Sequence, residues 1–310
     1  MVAGIDLLPG KMAVVVRFAT RKPYWTVVIP IALLAVVAVY PIIELVRLSL
    51  HNAPSATGGV EVFVGLKQFG WILDSSEFRN SLKVTFIFIF GASIVEIFIG
   101  FALALLFNVE STLARVFRLL LVLPAMLAPV AVGLIWVLIL NSDFGILNYL
   151  LGLVGIEGQA WLASPALAMR SLILIDAWQW APFVALFLLA GLRSLPSEPF
   201  EAAKVDGASP IQIFRYLTLP MLRPVLAVVF LIRVLDGTKL FGLVLVLTSG
   251  GPGSSTNVLG LEIFKKAFEG NQMNFAAGMA VIQLLLVLLF AGVYTILFLR
   301  SHAAAIADDT

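Results

Sequence analysis

Six runs of apolar residues, each long enough to cross a bilayer as a helix, divide this chain and limit its fold more than anything else in it. They cover about residues 25–49, 82–107, 118–140, 167–192, 224–248 and 276–299. A span of roughly twenty residues carries a helix across the hydrocarbon of a membrane. A large soluble core would need helices with a polar outer face, and these runs lack one. Pro41, Pro124, Pro129 and Pro182 fall inside them, which a membrane bundle tolerates because neighbouring helices re-satisfy the interrupted backbone. With 61% hydrophobic and 12% charged residues, the expected fold class is an all-α polytopic membrane protein with six transmembrane helices. The expected organisation is an N-terminal tail over 1–24, a six-helix membrane domain over 25–300 and a C-terminal tail over 301–310.

Basic residues give the orientation. With the N-terminus inside, the inner segments hold Lys11, Arg17, Arg21, Lys22, Arg115, Arg118, Arg193, Lys204, Arg215, Arg223 and Arg300. The outer segments hold Lys67, Arg79, Lys83, Arg170, Lys265 and Lys266. Inner loops of membrane proteins are the Lys/Arg-rich ones, so both termini are expected in the cytoplasm. The first apolar run is too long and begins too late to read as a cleavable signal peptide. The net charge of +2 is what topology alone would give and carries no argument for nucleic acid.

One polar stretch, residues 193–223, interrupts the apolar pattern on the inner side. It reads as two short helices joined by a tight turn. Ser197 is placed to cap the first helix, with Pro199 in its first turn. Gly207 stands where the chain must turn and can adopt the left-handed conformation at little cost. Ser209 is placed to cap the second, with Pro210 at its first position and Gln212 completing a capping box. Pro220 and Pro224 then close the unit and begin the next span. The small residues Ala202 and Ala203 let a helix seat closely in a groove, Glu201 and Lys204 supply a polar rim, and Ile211, Ile213, Phe214 and Leu217 suit a protein groove. A short amphipathic hairpin lying flat at the lipid interface is the competing reading, but the double capping suits a rigid docking part.

The pattern Glu201-Ala202-Ala203, Gly207, Leu217-x-Leu219-Pro220 resembles the EAA loop of ATP-binding-cassette importer permeases. Leu217 stands where the pattern usually has Ile. Trp178-Gln179-Trp180-Ala181-Pro182-Phe183, running on to Ala190-Gly191-Leu192, is similar to the span before that loop in carbohydrate-importing members. Arg233-Val234-Leu235-Asp236, Lys239, Phe241 and Leu247-Thr248-Ser249-Gly250-Gly251-Pro252 resemble the family's fifth span and outer loop. Pro124, Pro129, Trp136, Gly145, Asn148, Trp161 and Pro165 resemble its third span and the loop after it. One departure is Gly242, where the family often carries an acid. The resemblance implies a type I importer permease fold, with Glu201, Ala202, Ala203, Asp206, Gly207, Leu217 and Pro220 coupling the chain to an ATPase. It implies an ATPase dimer, a second related permease chain and an extracytoplasmic solute-binding protein as partners, and the bacterial inner membrane as location. ATP and magnesium would sit on the ATPase, with no cofactor on this chain.

Charges inside apolar spans are costly and usually face a bundle interior or a pathway. Arg233, Asp236 and Lys239 follow at three-residue spacing, close to one helical face, and Gln179, Trp178 and Gln283 fall in neighbouring spans. Two readings stand for this set: a polar stripe that hydrogen-bonds a passing hydroxyl-rich solute, or an Arg233–Asp236 ion pair that locks helices together. Glu96 reads as structural, and Arg47 as snorkelling near the outer surface. Trp178 or Trp180 could stack on a sugar ring, whereas Trp25, Trp71 and Trp161 fall where interfacial belts lie.

Several chemistries are excluded. Gly10-Lys11 is followed by Met12, not Ser or Thr, so it is no phosphate loop. His51 and His302 lie far apart, which argues against a histidine-based metal site or catalytic triad. The absence of cysteine rules out thiol chemistry, and an enzyme is not expected. The outer segments are too short for a binding domain of their own. The favoured function is the permease subunit of an ATP-driven, binding-protein-dependent importer, forming half of the pathway for a sugar, polyol or related hydroxylated solute. The alternatives are an anionic polyol such as glycerol phosphate, which Arg233 and Lys239 could meet, and an ion-coupled secondary transporter, which Asp236 keeps open.

Overall fold

The computed structural model describes residues 24–52, 61–109 and 111–308, with side chains described between 28 and 298. The tail expected over 1–24, with Lys11, Arg17, Arg21 and Lys22, lies outside the described residues except for Tyr24. The first helix, α1 (Tyr24–Ser49), leads through a two-residue antiparallel ribbon, β1 (His51–Asn52) and β2 (Val62–Phe63), to the short α2 (Lys67–Asp74). Then follow α3 (Ser76–Leu106), α4 (Thr112–Leu121), α5 (Pro129–Ile139), α6 (Ile146–Leu153) and α7 (Pro165–Ser194). The polar stretch forms α8 (Glu198–Val205) and α9 (Pro210–Ile213), and α10 (Leu219–Gly237), α11 (Gly242–Leu247), α12 (Leu259–Phe264) and α13 (Met273–Asp308) complete the chain.

Among the described residues, five unbroken helices are long and apolar enough to cross a membrane: Val28–Ser49, Ser76–Leu106, Pro165–Ser194, Pro210–Gly237 and Met273–Phe298. The run at 118–140 supplies the sixth crossing as a bent pair, Thr112–Met126 and Pro129–Ile139, which meet at 96°. Its break has a local cause. Proline disfavours helical backbone at the residue before it, and Ala128, before Pro129, is extended with ψ 137°. The run at 224–248 is also interrupted. Its helix ends at Gly237, and the chain turns through 238–241 before α11 resumes.

Pro220 and Pro224 do not close the polar hairpin as the sequence pattern suggests. Instead α9 continues through a π-helical turn, Phe214–Thr218, directly into α10. A proline inside a helix removes one N–H and crowds the carbonyl four residues earlier. The wider turn just before Pro220 is the known way to absorb such a disturbance, so hairpin and span form one continuous lever.

The centre of the bundle is the contact between α3 and α7, where small residues let the backbones close in, as is usual for membrane helices. A Cβ added at Gly100 would sit 2.7 Å from Val184 Cγ1 and 3.0 Å from the Ala181 carbonyl oxygen. Phe88, Leu172, Ile175, Val244 and Leu261 fill the adjoining core. Side-chain bonds order the connecting segments around this frame. Thr85 Oγ1 of α3 accepts from Leu259 N at the start of α12 (2.7 Å), and Asn148 Oδ1 accepts from Gln159 N (3.0 Å) and Trp161 Nε1 (2.8 Å). Trp161 is thus tied into the 141–166 loop rather than serving only as a belt residue. Arg47 ends α1 in ion pairs with Glu44 and Glu61, both at 2.7 Å. Helix α1 itself packs on α13 and leaves its apolar side chains, Leu33, Leu34 and Tyr40 among them, outward, as a lipid-facing helix does.

Candidate translocation cavity and coupling surface

Where the α10 span breaks, a cavity of about 220 Å³ opens, lined by Pro129, Asp176, Gln179, Trp180, Arg233, Asp236, Lys239 and Phe241. Irregular backbone at membrane depth survives only where protein or a cavity covers it, and the turn at 238–241 obeys that rule. Arg233 organises the wall. Its Nη2 donates to Glu96 Oε1 at 2.8 Å and to Asp176 Oδ2 at 3.1 Å, and its Nε donates to Glu96 Oε2. Its Nη1 lies 3.6 Å from Asp236 Oδ2, and the guanidinium sits 4.8 Å from the Trp180 ring centroid. A planar guanidinium meets two carboxylates and an aromatic face at once in a way lysine cannot. The result ties α3, α7 and α10 together at one buried point, with Arg233 only 3% exposed. Lys239 Nζ closes the other side of Asp236 at 3.2 Å.

The sequence singled out Gln179, Arg233, Asp236 and Lys239, and the structure brings all four to this cavity. The expected i, i+3 pair of Arg233 and Asp236 forms, but only as the longest of the contacts. Gln179 is buried and donates through Nε2 to Leu127 O at 3.0 Å, bracing the extended break between α4 and α5. Trp178 and Gln283 lie elsewhere. Trp178 meets Trp136 edge-on at 5.5 Å, and Trp180 takes its place on the cavity wall. Gln283 donates to Thr238 O at 2.7 Å and lines a separate apolar hollow of about 320 Å³ between α3, α10 and α13. Glu96 and Asp176, which the residue pattern left unassigned to Arg233, are its main partners.

The polar stretch is a projecting hairpin on the face where α7 ends. Ser209 Oγ accepts from Gln212 N (3.4 Å) while Gln212 Oε1 accepts from Ser209 N (2.7 Å), the expected reciprocal cap. Gly207 has φ +76°, and Ala208 N donates to Ala203 O across the turn at 2.9 Å. The cap expected from Ser197 does not form: its backbone is already helical, at φ −79° and ψ −27°, and its side chain makes no capping bond. The apolar residues divide differently from expectation. Phe214 turns inward onto Phe101 at 5.4 Å, and Ile213 and Leu217 are half-buried. The outward apolar residues are Val205, Ile211 and Tyr216, the first two 89% and 77% exposed. Glu201, Ala202 and Asp206 are exposed, and Ala203, Asp206, Gly207, Tyr216 and Leu217 line a hollow of about 380 Å³ on the hairpin's outer side. Pro220 sits half-buried at the hairpin's base.

Residues 96–302 match the family described as the binding-protein-dependent transport system inner membrane component. The chain belongs to this family. It is thus an inner-membrane permease component of a binding-protein-dependent transporter. Among similar proteins, this permease is 38% identical over 212 residues to a probable ABC transporter permease protein of Sinorhizobium fredii, covering 68% of each chain. It is 32% identical over 281 residues to the trehalose/maltose transport system permease protein MalF of Thermococcus litoralis, covering 90% of this chain and 94% of that one. A solved chain from a bacterial ABC transporter involved in the import of the acidic polysaccharide alginate superposes with a TM-score of 0.76 at 20% identity, covering 89% of the permease and 95% of that chain. That likeness establishes the fold of an ABC importer permease.

Proposed function

We propose that this permease forms half of the pathway of an ATP-driven importer for a neutral, hydroxyl-rich solute of the sugar or polyol class. Its hairpin at 193–223 receives one subunit of an ATPase dimer, which carries the ATP and magnesium. A second related permease completes the pathway, and an extracytoplasmic binding protein delivers the solute. Both termini then lie in the cytoplasm, on the hairpin's side. Membership of a binding-protein-dependent family supports the delivery step. The relatives named for trehalose/maltose and for sulfoquinovosyl glycerol, the latter 32% identical over 266 residues, support the solute class.

The observation that carries the solute reading is the pairing of charge around Arg233. Three carboxyl groups, Glu96, Asp176 and Asp236, face the buried Arg233, and Asp236 also pairs with the exposed Lys239, so the buried cation of the wall is already matched by carboxylates. An anionic polyol would have to compete with carboxylates already in place, whereas hydroxyl groups can add hydrogen bonds to Gln179 and Asp236 without displacing anything. Trp180, whose ring packs against the Arg233 guanidinium, adds an aromatic side chain to the wall that the C–H side of a sugar can meet.

In the working cycle the continuous helix from Pro210 to Gly237 transmits motion of the ATPase to the broken segment beside the cavity, a rigid-body transition of the kind that gives alternating access. The test is solute-stimulated ATP hydrolysis by the transporter reconstituted in vesicles with its binding protein. Neutral oligosaccharides are expected to stimulate and glycerol phosphate to leave the rate at baseline. Asp236→Asn and Gln179→Ala are expected to lower uptake or change solute preference. Normal uptake and preference in both variants would remove these residues from the pathway.

A further inference from the structure

A second polar hollow, of about 360 Å³, lies at the end of the bundle from which the hairpin emerges. Arg115, Arg118 and Arg193 line it together with the hydroxyl-bearing Ser111 and Thr112. The bias of inner segments toward Lys and Arg explains the sign of these residues but not their convergence, since they come from two helices, α4 and α7, far apart in sequence. Arg118 is fixed by backbone bonds, from Nε to Ala114 O at 3.0 Å and from Nη2 to Val109 O at 3.2 Å. Those bonds, to neutral carbonyls, orient the guanidinium without neutralising it. Among the described residues no carboxylate lies within ion-pair distance of any of the three. Glu110, adjacent in sequence, lies outside the described residues. The contrast with Arg233, wrapped in carboxylates, is plain.

The surroundings have two characters. Around the arginines, Leu113, Val116, Phe117 and Leu120 of α4 stand exposed, so one helix offers guanidinium groups on one face and apolar side chains beside it. We propose that this hollow binds the phosphate headgroup of an anionic phospholipid of the cytoplasmic leaflet, with the acyl chains lying along the apolar residues of α4. The guanidinium fork suits phosphate oxygens, and basic hollows between membrane helices on the cytoplasmic side are the usual form of headgroup site. The bound lipid would brace the junction of α4 and α7 at the point where α7 passes into the coupling hairpin. The side of the membrane follows from the reading that the hairpin is cytoplasmic; the convergence of the arginines does not.

Native mass spectrometry of the transporter extracted from its own membrane tests this, with phosphatidylglycerol and phosphatidylethanolamine titrated separately. Phosphatidylglycerol is expected to bind and phosphatidylethanolamine not. Each Arg→Gln change should weaken binding about fivefold, and Arg115→Gln, Arg118→Gln and Arg193→Gln together on the order of a hundredfold. Lysine at all three positions keeps the charge and should restore most of the affinity, which separates loss of the site from misfolding. Arg79→Gln with Lys83→Gln, at the opposite end of the bundle, should change nothing. Undiminished phosphatidylglycerol binding in the triple Gln variant would overturn the proposal. So would release of the lipid by inorganic phosphate at equal concentration, which would mark a free-phosphate site, or loss of the ATPase rather than the lipid, which would mark a protein contact. Lipid loss with transport of neutral solutes intact would leave the proposed function standing.

Discussion

Arg233 joins three helices through one guanidinium, and its partners decide what a substitution there does. Arg233→Met would leave Glu96 and Asp176 buried without a cation, a loss that typically costs about 3–5 kcal/mol. We expect a sharp drop in thermal stability of the detergent-extracted protein. Arg233→Met combined with Glu96→Gln and Asp176→Asn should recover most of it, because the buried charge is then gone from both sides. A single variant that melts like the wild type would show that the cluster contributes little. The residues of this cluster were legible in the sequence, but not its wiring. Spacing along one helix brings Arg233 to Asp236, while pairing with Glu96, 137 positions away, depends on how α3 and α10 are rotated about their axes. Helices that are apolar on every side carry almost no signal of that rotation. The same blindness made Trp178 and Trp180 equivalent on paper, although only Trp180 reaches the cavity.

The elements show where chain chemistry speaks clearly and where it does not. The cap at Ser209 and the turn at Gly207 form as their residue types dictate, because both are short-range. Ser209→Ala should therefore cost about 1 kcal/mol through the lost cap, read as a lower melting temperature and weaker ATPase stimulation. Restoration by Ser209→Asp, which can cap equally well, is expected; equal loss in Ala and Asp variants would point to another role for the hydroxyl. Prolines were harder to interpret. Pro182 stays within α7, Pro129 starts a new helix after a 96° bend, and Pro220 is absorbed by a π-helical turn. Whether neighbours can re-satisfy the backbone decides among these outcomes, and the sequence around a proline does not state it. Close packing gives a further prediction. Gly100→Leu should splay α3 from α7 and destabilise by about 1–3 kcal/mol, partly relieved by Val184→Ala, whereas Gly70→Ala, with open space around it, should be silent. Thermal melts of the three variants would settle the point, and a stable Gly100→Leu protein would contradict the packing described.

At the scale of the whole molecule, the chain makes sense only as part of something larger. Helix α1 touches α13 and exposes the rest of its surface, the hairpin projects apolar residues away from the bundle, and the polar cavity is half-enclosed at a break in one span. Lipid covers the first of these. In the proposed assembly, an ATPase on the hairpin and a second permease around the cavity would account for the others. The apolar crossings and the capped hairpin were evident from apolar runs and capping residues, since both patterns are local. The polar cavity was evident only as a set of residues in spans, because its shape comes from how the helices meet. The absence of cysteine permits a direct test. Val205→Cys and Ile211→Cys on the hairpin, with Leu33→Cys on α1 as control, can be cross-linked in native membranes by a bifunctional thiol reagent. The account predicts that both hairpin positions join the transporter's ATP-hydrolysing subunit, that the α1 position does not, and that an impermeant reagent outside the cell fails to reach Val205→Cys. Labelling of Val205→Cys from outside, or transport by a chain whose hairpin contacts no ATPase, would contradict it.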